Sequence, residues 1–356
     1  MTQQQWGNRQ TPWGQPPPQR GGWGQPYNPQ QLRRGQFAPN PYGAPVQFLP
    51  PRRPRRSPFR SLLAAMMIIG LIALAGMAST NATTQSAELP YQNEDYRVPP
   101  PDTTPPPLPV PETYEEAEQL LVSNKLYAQN TPTPVRCTAT PINVRTAENA
   151  QLKNHFEELM ECLVRVWGPP VEAAGFQVVR PTVTIYGARV TTKCGDAEVN
   201  AFYCSGDQQV YFSNQLADYV PIVKREKWAA DVVMAHEFGH ALQARTAILI
   251  SSHALGEESG DKRTELELSR RLEVQADCFS GMSMGAMRQS LGISDSDEEG
   301  IEATYNAVGD DVVSGKPNVV GNHGLGRSRV YWGSTGLGTS DIGECNTYTA
   351  KDDLVR

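Results

Sequence analysis

No cysteine stands before position 137 in this chain of 356 residues, and the six that follow (Cys137, Cys162, Cys194, Cys204, Cys278 and Cys345) include no CxxC pair. None has the close spacing of a zinc knuckle, which leaves no cysteine-built zinc site. A basic surplus is missing too. Thirty-two Lys and Arg against 38 Asp and Glu give a formal charge of −6, and the second half shows neither a long basic face nor a nucleic-acid motif. Nucleic acid is therefore not an expected partner. Hydrophobic periodicity is absent from residues 1–57, a Gln, Pro, Gly, Asn and Arg-rich stretch with scattered aromatics such as Trp6, Trp13, Trp23, Tyr27 and Tyr42. Such a segment cannot bury enough apolar surface to fold, so a disordered tail is expected. A solvated tail with no sharp function is the first reading, and a cytoplasmic partner bound through its Pro-rich or aromatic patches is the alternative.

Charge is missing between Arg60 and Glu88, and within that gap residues 62–78 form an apolar run. The run is near the lower limit for crossing a bilayer, roughly 17 to 25 residues. Arg52, Arg53, Arg55, Arg56 and Arg60 precede it, while Glu88, Glu94 and Asp95 follow. That bias puts the N-terminus in the cytoplasm and the rest of the chain outside it, as a single-pass cell-membrane protein. Gly76-Met77-Ala78 has the small-x-small look of a signal-peptidase site, but about sixty residues ahead of the run is far too long an n-region. An uncleaved anchor over 58–80 is the expectation. An even number of cysteines, all beyond it, favours disulfides in an oxidising compartment.

Residues 79–111 are polar and then proline-rich, which reads as an extended, semi-rigid spacer holding the folded part off the membrane. A short acidic amphipathic helix over 112–125 completes the stalk region, taken as 81–130, and a compact domain fills 131–356. Leu152, Phe156, Leu159, Leu163 and Val166 recur at helical spacing, with His155 beside the stripe as a core or boundary residue. Gly168-Pro169-Pro170 should end that helix. Thr182-Val183-Thr184-Ile185-Tyr186 and Val210-Tyr211-Phe212 read as strands. Residues 251–261 read as a polar loop, 262–291 as a long helix, and 294–311 as an acidic segment holding another helix. Loops should dominate from Gly315 onward, where glycine is frequent. The fold class expected is α+β, mainly helical with a small sheet.

Within that frame one stretch carries chemistry: His236-Glu237-Phe238-Gly239-His240, an HExxH pattern amid apolar residues. Positions four apart share a helix face, so both imidazoles can grip one metal ion while Glu237 lies beside it as a proton acceptor. A third ligand is on offer at Glu273, with Asp277 again four residues on. This is the HExxH…ExxxD plan of the gluzincin metallopeptidases, with Asp277 holding a ligand imidazole from behind. The metzincin plan fails, since Gln243 stands where it needs Gly and Thr246 where it needs His.

The ordered set of motifs from residue 137 to 348 resembles the bacterial family of neutral zinc metallopeptidases. The matches are Cys194-Gly195, Phe202-Tyr203-Cys204 with Asp207 and Tyr211, the HExxH run with Gln243, and Glu273 to Phe279 with Gly281. Gly309-Asp310-Asp311, His323-Gly324 with Arg329, and Cys345-Asn346-Thr347-Tyr348 complete the series. The resemblance implies a zincin-like fold, one Zn2+ held by His236, His240 and Glu273, Glu237 as catalytic base, and a peptide or protein substrate. His323 and Arg329 are the candidates for steadying the oxyanion, although Leu325-Gly326-Arg327-Ser328 departs from the family's polar run between them. The strand at Val210-Tyr211-Phe212 is expected to offer its edge to an extended peptide. Six cysteines allow fifteen pairings; proximity and motif favour Cys137–Cys162, Cys194–Cys204 and Cys278–Cys345. Two other function classes fit the same sequence: a catalytically silent zinc domain that binds a partner, and a membrane scaffold whose working end is the cytoplasmic tail.

Overall fold

The computed structural model describes residues 89–356. The tail, the apolar run at 62–78 and the first part of the spacer lie outside the described residues. Among the described residues no helix is long and apolar enough to cross a membrane.

The described chain is mainly helical. Helix α1 (Tyr114–Val122) is capped by the Thr113 hydroxyl and is followed by a tight 3-10 turn at Lys125–Ala128. Helix α2 (Asn149–Ala173) leads into strands β1 (Val183–Tyr186), β2 (Val190–Thr192), β3 (Gly195–Ala197), β4 (Ala201–Cys204) and β5 (Gln209–Ser213). Two short helical turns precede α3 (Ala229–Arg245), which carries the HExxH run. Then come α4 (Ile248–Ser259), α5 (Lys262–Leu291), α6 (Asp295–Ala307), a single turn at Asp310–Ser314, and α7 (Gly326–Gly338).

Strands β1, β5 and β4 form one sheet in that spatial order, β1 parallel and β4 antiparallel to β5, while β2 and β3 form a separate hairpin. The central place of β5 corrects the expectation for Val210-Tyr211-Phe212. Its N–H and C=O groups are taken on both sides, because the neighbouring run Ala201–Cys204 pairs with it. The outer strand is β4. Ser213 N–H bonds to Asn200 C=O, so ladder alternation turns the N–H and C=O of Ala201 and Tyr203 away from β5.

The apolar stripe of α2 packs on the sheet, with Phe156 and Phe212 rings 4.6 Å apart, and on α5, with Trp167 and Phe279 rings 4.9 Å apart. Buried His155 bonds through Nε2 to Asp231 Oδ1 at 2.8 Å, tying α2 to α3. The cysteines form three bonds, Cys137–Cys162, Cys194–Cys204 and Cys278–Cys345.

Four local expectations give way. Helix α2 runs through Pro169 and Pro170 to Ala173 instead of stopping at Gly168. Pro169 has no N–H for the carbonyl of Arg165, and the side-chain amide of Asn93 donates to that carbonyl instead. The part of the spacer from 89 on is laid against the domain, not held clear of it. Gln92 N–H bonds to Pro134 C=O at 2.8 Å, Asp102 N–H to Arg180 C=O at 3.0 Å, and Pro106 C=O accepts from Gln208 Nε2 at 2.9 Å and Arg245 Nη1 at 3.1 Å. The supposed polar loop at 251–261 is mostly helix α4, whose buried face is made of small residues such as Ser251, Ser252 and Ala254. Its serines are polar by type but inside by position. The glycine-rich end of the chain likewise holds α7, where a Cβ on Gly336 would collide with the backbone of Cys278 and Met282. Glycine here allows two helices to touch, a use that composition alone does not distinguish from a loop.

Candidate metal centre

The site forms where α3 crosses α5, and Gly239 sets how closely they cross. A Cβ at Gly239 would lie 3.1 Å from both Cα and O of Ala276, so the absence of a side chain is what brings the second helix in. Glu273 and Asp277, one turn apart on α5, then face His236 and His240, one turn apart on α3.

The metal-ligating atoms of His236, His240 and Glu273 all lie within 4.8 Å of one another. Nε2 of His236 is 3.4 Å from Glu273 Oε2, and Nε2 of His240 is 3.5 Å from Glu273 Oε1. The other nitrogen of each ring is held from behind. His236 Nδ1 is 2.8 Å from Asp277 Oδ1, and His240 Nδ1 is 2.8 Å from Gln243 Oε1. Each ring thereby presents Nε2 inward. Glu237 lies beside them, one oxygen accepting the Tyr203 N–H of β4 at 2.9 Å.

The electrostatics of the centre call for a cation. Once both imidazoles are neutral, as metal ligands must be, ionised Glu237, Glu273 and Asp277 outnumber the single guanidinium of Arg329 and leave a surplus of negative charge. Burial is the largest influence on each group and works against every charge. It pushes Glu237 up to about 7, helped by Glu273 and opposed by His236 and the Tyr203 N–H. It pushes His240 down to about 4, since only a neutral amide backs that ring. In His236 the Asp277 carboxylate overcomes burial and holds the ring up to about 10. Burial is likewise outweighed at Glu273, held low by His240, His323 and His236, and at Asp277, held low by Arg329 and His236. Two imidazoles and a carboxylate in this geometry are the donor set of a catalytic zinc site that keeps a position open. The residues fit the ion.

His323 and Arg329 occupy different places. Arg329 is 4% exposed, and its guanidinium is committed to Asp277, with Nε to Oδ2 and Nη2 to Oδ1 each at 2.8 Å. It also donates to Val308 C=O at 3.2 Å. The guanidinium expected at the oxyanion is thus turned to Asp277, with Nη2 3.4 Å from His236 Nδ1, on the side of that ring away from Nε2. The His323 side chain is 40% exposed, with Nδ1 3.3 Å from Asp310 Oδ1, while Asp310 Oδ2 accepts the N–H of His323 and of Gly324 at 3.0 Å each. His323 lies close enough to Glu273 for that carboxylate to raise it.

Sequence reasoning gave no role to Gln243, Asp310 or the Tyr203 N–H. Gln243 carried a usable signal, three residues after His240 on one helix. Asp310 and a backbone N–H become functional only through the tertiary fold.

The domain is mainly helical with a small sheet, and its HExxH helix is crossed by a second helix that brings in the Glu273 carboxylate. The chain belongs to the family described as "Putative neutral zinc metallopeptidase", whose model matches residues 120–348. It is 30% identical over 195 residues to the uncharacterized protein YpfJ of Escherichia coli K12, an overlap of 51% of this chain and 66% of the relative, just under two thirds. It is 29% identical over 222 residues to the uncharacterized protein Rv2575 of Mycobacterium tuberculosis H37Rv, covering 54% of this chain and 72% of the relative. No solved structure matches at a significant level.

Proposed function

We propose that this chain is a zinc-dependent endopeptidase with a zincin-like fold, tethered by residues 62–78 with its catalytic domain outside the cytoplasm. The observation that carries the reading is the convergence of His236, His240 and Glu273 with Glu237 beside them, its carboxyl poised near neutrality. Those three side chains would hold one zinc ion per chain. When bound, zinc supplies Lewis acidity, making water a nucleophile near neutral pH and drawing electrons from the scissile carbonyl.

The chain's own residues do the rest. Glu237 takes the proton of the attacking water and passes it to the leaving amine. Asp277 fixes the ring of His236, and Arg329 keeps Asp277 ionised. His323 at the exposed rim donates toward the carbonyl oxygen as charge gathers there. The outward N–H and C=O of Ala201 and the outward C=O of Tyr203 on β4 take an extended peptide by strand addition, in the place first assigned to β5, while the Tyr203 N–H stays on Glu237.

The test is hydrolysis of a peptide library by the wild-type chain and by Glu237→Gln. Cleavage by the wild type, lost in the variant while zinc content is unchanged, is expected. A Glu237→Gln protein that still cleaves would remove Glu237 from its role. No cleavage by a zinc-loaded wild type would favour a silent, partner-binding domain.

A further inference from the structure

We propose that Gln243 and Gln275 form an amide relay that orients His240 toward the metal, so that the site extends inward to Tyr127 through side chains that never meet the ion. The proposal rests on the metal-site reading above and deepens it.

The relay is visible as a chain of donors running in one direction. The Gln243 side-chain oxygen can only accept, so His240 Nδ1 must carry the proton across their 2.8 Å contact. That leaves the Nε2 lone pair facing the centre. The orientation of Gln243 is in turn fixed by its own nitrogen, which donates to Leu272 C=O at 2.7 Å and to Gln275 Oε1 at 3.1 Å. Turning this amide over would set its oxygen against two acceptors and its NH2 against the His240 N–H. Gln275 is fixed in the same way, its nitrogen donating to Tyr127 Oη at 2.9 Å and to Cys345 C=O at 3.1 Å. Every amide hydrogen of both glutamines has an acceptor. Both side chains are 0% exposed, so no solvent stands ready to replace a lost partner.

The two ligand imidazoles are thus held by different chemistry. His236 has an anionic partner, Asp277, whose charge Arg329 answers. His240 has a neutral one, which fixes the ring without adding another negative charge beside Glu273. By helical spacing Gln275 lies off the face that carries Glu273 and Asp277, so its place in the relay follows from what packs behind α5. That is the Lys125–Ala128 turn and the disulfide-bonded Cys345. The segment ahead of the HExxH helix therefore reaches the metal centre through Tyr127.

The experiment is zinc titration of the metal-free full chain against a competing chromophoric chelator, for wild type, Gln243→Met, Gln275→Met and the double variant. Gln243→Met should lose zinc affinity by about 10- to 100-fold, the usual effect of removing a group that orients a ligand. Gln275→Met should fall in the same direction by a smaller factor. The double variant should lose no more than Gln243→Met, because the two act in series. Ser283→Ala, on the same helix as Gln275, removes a buried hydrogen bond donated by Trp167 of α2 and should bind zinc as the wild type does. If Gln275→Met does not fold, Tyr127→Phe takes its place, deleting only the terminal acceptor, with a smaller loss expected. Wild-type affinity in Gln275→Met or in that substitute would overturn the relay, as would a double variant whose loss is the product of the two singles. A chain that binds zinc yet cuts no peptide would end the peptidase reading and leave the relay standing.

Discussion

His236 and Arg329 show what one residue's surroundings add to its type. Both stand in motifs that point to chemistry, yet only His236 turns an atom to the open centre, while Arg329 is closed in behind Asp277. Arg329→Met should therefore act as the loss of one partner of a buried ion pair. A destabilisation of about 3–5 kcal/mol is expected in urea unfolding, with weakened zinc binding. A variant of unchanged stability and metal affinity that lost only turnover would contradict this and return Arg329 to the oxyanion. His323 is the opposite case, half-buried and coupled by charge. Burial opposes its charged form, but Glu273 and Asp310 outweigh that and raise it above its ordinary value. Stability from a raised imidazole is fully present below about 6.5 and is lost as pH rises through the raised value. On the metal-free chain, the stability gap between wild type and His323→Gln should be wide at pH 5.5 and narrower at pH 9. A gap that does not change with pH would show that the coupling contributes nothing. The helical spacing of His236, His240, Glu273 and Asp277 made them legible in the sequence. Gln275 and the Tyr203 N–H were not, since only packing between distant segments gives them partners.

Among elements, the two crossing helices matter most, and one missing methyl governs them. Gly239→Ala places a Cβ 3.1 Å from the backbone of Ala276, where nothing flexible can yield. Overpacking of this kind costs about 1–3 kcal/mol, and because it pushes α5 outward it should also weaken zinc binding. Thermal unfolding and zinc titration of Gly239→Ala would check both, and a variant with wild-type values would show that the crossing has slack. The long helices α2, α3 and α5 were legible because apolar spacing or a motif marks them. Helices α4 and α7 were not. Apart from Ile248 in α4 and Arg329 and Trp332 in α7, their buried faces are built from Ser, Ala and Gly, which resemble loop composition unless the neighbouring helix is known. The same lack of context assigned the substrate edge to β5, since a strand's partners are not written in its own residues.

For the molecule as a whole, the proline-rich segment changes meaning. It reads as a spacer, but from residue 89 it is a strap whose Pro106 carbonyl lies on the guanidinium of Arg245, the last residue of the HExxH helix. Arg245 is buried, and its other bonds go to neutral oxygens of Gln177, Pro107 and Gln208. A chain beginning at 112 should therefore unfold at lower urea than one beginning at 89, because it leaves that guanidinium short of acceptors. Equal midpoints would make the strap a mere passenger. The central claim is that the fold gathers three side chains from two helices around one ion. Metal content by elemental analysis, on the wild-type chain and on Glu273→Ala, tests it most directly. About one zinc per chain, lost or much weakened in the variant, is the expected result. A wild type that holds no zinc after refolding with metal, or a Glu273→Ala protein that holds it unchanged, would contradict the account.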